Sequence, residues 1–221
     1  MATTQFCPGV EKAVGEAAEE TVRSLCETHS GAPPSRMSKN GIPYHHGRPT
    51  YTEQSIITAD ACVKVPDDTP LEKACLISCA VITGIGAVVN RAQVKAGASI
   101  AVFGCGGVGL NVIQGGVLAS AGKIIAVDTV PYKLELAEQF GATHFVNANK
   151  EDPVQRIREI TDGGADYSFE VVGFPELVRQ AFDSVRTTGT AVVVGVQPSG
   201  ADVAVDGMEL LRDRALIGSW H

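Results

Sequence analysis

From Ala98 onward, short unbroken apolar runs alternate with stretches in which apolar positions recur every three or four residues. The runs at 99–103, 124–128, 144–147, 166–172, 190–196 and 215–220 predict strands buried on both faces. The intervening stretches predict helices, with Val154, Ile157 and Ile160 on one apolar stripe and Val178, Phe182 and Val185 on another. Start signals agree with these assignments. Pro131 and Pro175 suit a first helical turn, and Asp152-Pro153 reads as a cap followed by its proline. Regular alternation of this kind predicts an α/β chain with a doubly wound parallel sheet, six strands in the order 3-2-1-4-5-6 and helices on both faces. Gly115-Gly116 falls inside the first of these helices, where each glycine costs about 1 kcal/mol relative to alanine. Close packing of backbone on backbone is the expected reason.

The first 80 residues follow a different pattern. Residues 10 to 28 are amphipathic, with Val10, Val14, Ala17, Ala18, Thr21 and Leu25 on one face, and predict a helix. A Pro-, Gly-, Ser- and Lys-rich stretch from Ser30 to Pro49 reads as a loop. Short strands are expected at Ser55–Thr58 and Cys62–Val65. The apolar segment 70–90 is expected to be helical and to lead into the strand–helix alternation. The division expected is a first domain over 1–80 and a nucleotide-binding domain over 81–221.

Candidate chemistry concentrates in residues 99–128. The first strand enters Gly104-Cys105-Gly106-Gly107-Val108-Gly109, a helix follows, and the second strand ends on Asp128. In such a glycine turn the first glycine permits the bend and the second admits a pyrophosphate close to the backbone. The third allows the helix to pack on the strand. Unpaired N–H groups and the positive end of the helix dipole then face the phosphates. Asp128 lies 19 residues beyond Gly109, the distance expected of a carboxylate that accepts hydrogen bonds from the adenosine ribose. A 2′-phosphate there would meet a like charge, and Thr129, Val130 and Pro131 supply no arginine to receive it, so NAD is expected over NADP. Lys133 stands within reach of the ribose edge; from spacing alone it is equally a solvated surface lysine.

Composition narrows the remaining classes. With 44% apolar residues the chain can build a core, and no uninterrupted apolar run is expected to span a bilayer. A net charge of −7 without a basic stripe argues against a nucleic-acid partner. No secretory leader is read at the N-terminus, and the six cysteines, at 7, 26, 62, 75, 79 and 105, form no disulfide framework, so a cytoplasmic location is expected. His45 and His46 are adjacent and cannot both enter one site from a strand; His29, His144 and His221 have no partner at metal spacing.

Four segments carry a resemblance to a known family: CVKVPDDTPLEKACLISCAVITGIGAVVN, VKAGASIAVFGCGGVGLNVIQG, IIAVDTVPYKLELAEQFGATHFVN and GADYSFEVVG. Together they resemble the zinc-containing medium-chain alcohol dehydrogenases, nearest to the thiol-dependent formaldehyde dehydrogenase branch, over about Tyr51 to His221. The resemblance implies a Rossmann domain and, at the N-terminus, a partial, mostly β remnant of the catalytic (GroES-like) domain. It also implies residue roles. Cys79 matches a ligand of the catalytic zinc, although by itself it also reads as a core thiol. Thr83 matches the threonine beside the nicotinamide. Gly104, Gly106, Gly107, Val108 and Gly109 match the pyrophosphate turn, and Asp128 and Lys133 the ribose contacts. Val172, Val194 and Val196 match positions lining the nicotinamide cleft.

The implied activity is hydride transfer between NAD and an alcohol or a thiol–formaldehyde adduct, with zinc as the second cofactor, a small-molecule alcohol or aldehyde as partner, and a homodimer as the assembly. Departures from the family pattern point the other way. The Gly-His-Glu segment and the upstream cysteine that complete the zinc site are not found. Of the four-cysteine lobe only Cys26 fits, since its spacing steps back to Ala18, Gly15 and Lys12. The chain therefore reads as shortened at both ends, with the zinc site incomplete, and a non-catalytic NAD-binding module is the alternative expectation.

Overall fold

The computed structural model describes residues 37–39, 42–44 and 63–220. It divides into two units at Asp68/Thr69. In the first unit, β1 (Met37–Lys39) and β2 (Ile42–Tyr44) pair antiparallel, Met37 opposite Tyr44 and Lys39 opposite Ile42. This corrects the reading of 30–49 as loop. Asn40-Gly41 between the strands is the strongest two-residue hairpin signal, and the surrounding proline and glycine content had masked it. Val63–Val65, expected in a strand, form none, and Val63 is exposed. The helix expected at 10–28 and the strand at 55–58 lie outside the described residues, as do Cys7, Cys26, Cys62, His29, His45, His46 and His221.

The second unit begins with α1 (Leu71–Ala92), a continuous helix containing two stretches of π-type turns, Ile77–Val81 and Ala87–Ala92. Then follow β3 (Ser99–Phe103), α2 (Gly107–Leu118), β4 (Lys123–Asp128), α3 (Pro131–Gln139) and β5 (His144–Asn147). The second half comprises α4 (Pro153–Thr161), β6 (Ala165–Glu170), α5 (Pro175–Ser184), β7 (Val185–Val193), α6 (Gly207–Leu211) and β8 (Ala215–Gly218). The six strands pair in parallel in the order β5-β4-β3-β6-β7-β8, the doubly wound order expected. Strand periodicity sorts the core. Ile100, Val102, Ile124 and Ala126 face α1, α2 and α3, whereas Ala101, Phe103, Ile125 and Val127 face α4 and α5.

Local signals act as read. Pro131, Pro153 and Pro175 occupy first turns, and the Asp152 carboxylate accepts from the N–H groups of Val154 and Gln155 at 2.8 and 3.1 Å. Such a cap is worth about 1 kcal/mol. Strand ends differ. β6 stops at Glu170 rather than 172, β7 runs 185–193 rather than 190–196, and β8 stops at 218 rather than 220, so Val172, Val194 and Val196 sit in the loops beyond the carboxyl ends.

Gly115 and Gly116 face opposite neighbours. A Cβ on Gly115 would lie 3.0 Å from Val88 of α1, and one on Gly116 would strike Ile100 and Ile124 of the sheet. The pair lets α2 fit between sheet and α1. The 22-residue α1 is, by length and composition, apolar enough to cross a membrane, although its run free of charged and amide side chains is confined between Lys73 and Asn90. Packing on α2 accounts for part of this apolarity: Ala87 and Val88 are buried and the backbone of Gly84 lies against Val108 and Asn111, whereas Leu71, Leu76, Ile77, Ile82 and Val89 are exposed.

These contacts set opposite signs for two glycines on one helix. At Gly84 an added Cβ would sit 2.6 Å from Val108 O and 2.8 Å from Asn111 C, both backbone atoms; at Gly86 the nearest atom is 3.9 Å away. Overpacking of about 1–3 kcal/mol exceeds the gain of about 1 kcal/mol in helix propensity at the first site only. Gly84→Ala is expected to lower the urea midpoint and Gly86→Ala to raise it; the same sign for both would refute the packing analysis.

Candidate functional site

The crevice lies where strand order reverses, between β3 and β6. In an open doubly wound sheet this is where a ligand meets the carboxyl ends of the strands. On its first side, β3 runs into the glycine turn. Gly104 has φ +100°, a conformation that disfavours a side chain, and its N–H bonds Val127 O at 2.8 Å. A Cβ on Gly109 would run into Gly104 O, so the turn closes only around glycine there. Gly106 behaves differently: it is exposed, and a Cβ placed on it would meet nothing within 4 Å. It precedes α2, whose N-terminus carries no side-chain cap. The turn thus presents open space above uncapped N–H groups at the positive end of a helix, the arrangement a pyrophosphate requires.

Asp128 ends β4 beside this turn. Its Oδ2 accepts from the Cys105 N–H at 2.8 Å and its Oδ1 from the Val130 N–H at 2.9 Å, while Lys133 Nζ stands 3.8 Å from Oδ2. A carboxylate offers roughly four acceptor sites, and these N–H groups occupy two of them. These bonds make Asp128 a clasp on the turn, a role the sequence did not suggest. Lys133 keeps a half-exposed side chain beside it.

Cys105, the variable residue of the turn, points inward with Sγ 3.7 Å from Val127 O. Burial, reinforced by the Asp128 charge, pushes its thiol up to about 12, against the opposing pull of Lys133 and the Val127 hydrogen bond. It is a structural thiol.

On the second side of the crevice stands a residue the sequence reading missed. Glu170, at the end of β6, is fully buried. Its Oε1 accepts from the N–H groups of Val172 and Gly173 at 2.8 and 2.6 Å, and its Oε2 from Gln197 Nε2 at 3.3 Å. Its main-chain oxygen accepts from Val194 and Gly195. Burial raises the carboxyl above its ordinary value, opposed by the N–H groups of Gly173, Val172 and Phe174. The only available sequence signal was an acid inside an apolar run, without the spacing from a glycine turn that drew attention to Asp128.

The remaining candidates divide. Val172 and Val196 are exposed at the crevice loops and Val194 is half-buried. The Thr83 hydroxyl on α1 is buried without a hydrogen-bond partner among the described residues, as is Gln197 Oε1. Cys79 is an exposed thiol of α1, and no group of three His, Cys, Asp or Glu converges to hold a metal among the described residues. These residues fit a dinucleotide; they do not by themselves fit a zinc ion.

Known proteins resemble this chain in sequence and in fold. A family model described as zinc-binding dehydrogenase matches residues 107–221. An S-(hydroxymethyl)glutathione dehydrogenase of Photobacterium damsela subsp. piscicida is 42% identical over 190 residues, 84% of this chain and 52% of the relative. The chain thus spans about half the length of the curated relatives it matches. The benzyl alcohol dehydrogenase of Acinetobacter calcoaceticus superimposes with a TM-score of 0.69 at 39% identity, over 71% of this chain and 43% of that one. A Sinorhizobium meliloti 1021 protein whose crystal structure holds NADP gives a TM-score of 0.61 at 32% identity, over 64% of this chain and 43% of its own.

The environment of Cys105 makes a prediction. Burial and the neighbouring Asp128 charge keep its thiol protonated at pH 8, and burial blocks access. Iodoacetamide at pH 8 is expected to modify Cys75 and Cys79 in the native protein and Cys105 only after denaturation. Peptide mapping that found Cys105 fully alkylated in the native protein would contradict the buried turn.

Proposed function

We propose that this chain, which belongs to the zinc-binding dehydrogenase family, binds NAD(H) at the β3–β6 crevice and serves reversible hydride transfer to and from a small alcohol or aldehyde. The observation that carries the reading is the open space at Gly106 above an uncapped helix N-terminus, flanked by the Asp128 carboxylate. The bound nicotinamide supplies the hydride acceptor or donor. The chain supplies binding and orientation. N–H groups at the start of α2 receive the pyrophosphate, Asp128 the adenosine ribose, with Lys133 beside it. Thr83 and the loops bearing Val172, Val194 and Val196 border the nicotinamide half, and the unpartnered Thr83 hydroxyl is available to a ligand atom.

Names of relatives support the substrate class: one acts on S-(hydroxymethyl)glutathione and another on benzyl alcohol. NAD is proposed over NADP because Asp128 places a buried negative charge at the ribose with only Lys133 nearby, although one structural relative holds NADP. Cys79 has no co-ligand among the described residues, so zinc enters no step of this proposal. A homodimer is proposed from β8, an edge strand of the sheet, and from the exposed Met208, Leu211 and Trp220 near it.

Two measurements test the reading. Fluorescence titration should show NADH binding at least about tenfold more tightly than NADPH, the scale of one neighbouring charge. Gly106→Val, whose side chain enters open space, should abolish that binding while leaving the melting temperature unchanged. Equal affinities would refute the cofactor choice, and a fully active binder with valine at 106 would refute the site. For assembly, sedimentation of the protein should show a dimer; a clean monomer at micromolar concentration would exclude pairing through β8.

A further inference from the structure

Glu170 is the only glutamate in the buried core of the described residues, and the proposed function gives it no task. Its bonds are distributed in an unusual way. One carboxylate oxygen holds the loop after β6 through Val172 and Gly173, and the other reaches Gln197 in the loop after β7. The main-chain oxygen of the same residue holds Val194 and Gly195. Both loops are therefore referred to a single residue. Between them the backbones approach so closely that a Cβ on Gly195 would lie 2.7 Å from Gly173 Cα, and Gly173 itself has φ +101°. The approach keeps side chains out of the gap and leaves the Glu170 and Gln197 side chains to fix the spacing.

The topology says which half of a dinucleotide these loops meet. Strand order reverses between β3 and β6, and Asp128 with the glycine turn lies on the β3–β4 side, where the adenosine ribose and pyrophosphate belong. The β6 and β7 loops lie on the opposite side, beneath the redox-active half. From this placement we infer that Glu170 is the positioning residue for the nicotinamide half of the cofactor, acting through the β6 and β7 loops, with Gln197 as its relay. The inference rests on the dinucleotide reading given above. Burial pushes the Glu170 carboxyl up, and the N–H groups of Gly173, Val172 and Phe174 oppose that push by favouring the acceptor form. Gln197 Oε1, buried without a donor, is available to receive a proton-bearing group at position 170 if the amide turns over.

Calorimetric titration of the whole chain with NADH and, separately, with ADP-ribose, which lacks the nicotinamide, tests this. Glu170→Leu is expected to weaken NADH about tenfold or more while ADP-ribose changes less than about twofold, since the charge-assisted bonds lost serve one half only. Gln197→Ala lies nearer the surface and keeps the test alive should the first variant not fold; a shift of about threefold for NADH alone is expected. Glu170→Gln retains an acceptor for the Val172 and Gly173 N–H groups and gains a donor for Gln197 Oε1, so it should restore most of the NADH affinity. Parallel weakening of both ligands in the folded variants, no change in either, or a glutamine variant as poor as leucine would overturn the role of Glu170. A wild-type chain that binds neither ligand would instead overturn the dinucleotide reading and this inference with it.

Discussion

A carboxylate can be buried only if N–H or O–H donors replace the water it gives up, and the strand ends of a doubly wound sheet have such donors in the loops that leave them. Asp128 and Glu170 use this in the same manner on either side of β3. Each ends its strand, turns inward, and accepts from the main chain of the loop that follows it and from a second segment nearby. The two acids thereby convert flexible strand-end loops into walls of defined spacing. The glycine turn depends on the first clasp as much as on its glycines, because the Cys105 N–H would otherwise be buried without an acceptor.

The rest of the site follows from how tightly the backbone is drawn together. Gly109 against Gly104, Gly195 against Gly173, and Gly84 against Val108 are approaches that no side chain would permit. They bring helix and loop onto the strand ends, and Gly106 in the same turn faces open space. A crevice bounded by main chain is well suited to a ligand recognised mostly by phosphate, ribose and a flat ring, which need N–H groups, acceptors and smooth apolar contact rather than many specific side chains.

The sheet, its strand order and the glycine turn were legible because their signals are local: unbroken apolar runs, prolines in first turns and glycines at fixed spacing. Asp128 was legible for the same reason. Glu170 was not, because it is embedded in the apolar run that suggested a strand over 166–172, and its meaning lies partly in a bond to Gln197, 27 positions away. Its other side-chain bonds end β6 early, by taking the N–H groups of Val172 and Gly173 out of the ladder. The hairpin at 37–44 had its signal in Asn40-Gly41, but composition across the wider window outweighed it. The side of α1 that α2 covers, at Gly84, Ala87 and Val88, was not legible, because sequence period alone does not name the neighbour a helix packs against.

Gly115 and Gly116 give α2 the width of bare backbone on two opposed sides, with Val88 and Ile85 on one and Ile100 and Ile124 on the other. The stack of α1, α2 and sheet therefore has one thickness shared among several residues. Enlarging a side chain in any layer displaces α2, and with it the turn at its N-terminus, whereas trimming a side chain in the facing layer gives some of that room back. Substitutions at Val88, Gly115, Gly116 and Ile100 should accordingly combine non-additively, although Val88 and Ile100 belong to different elements. The four positions constitute a single mechanical tolerance, set at one end of a helix whose other end carries the glycine turn.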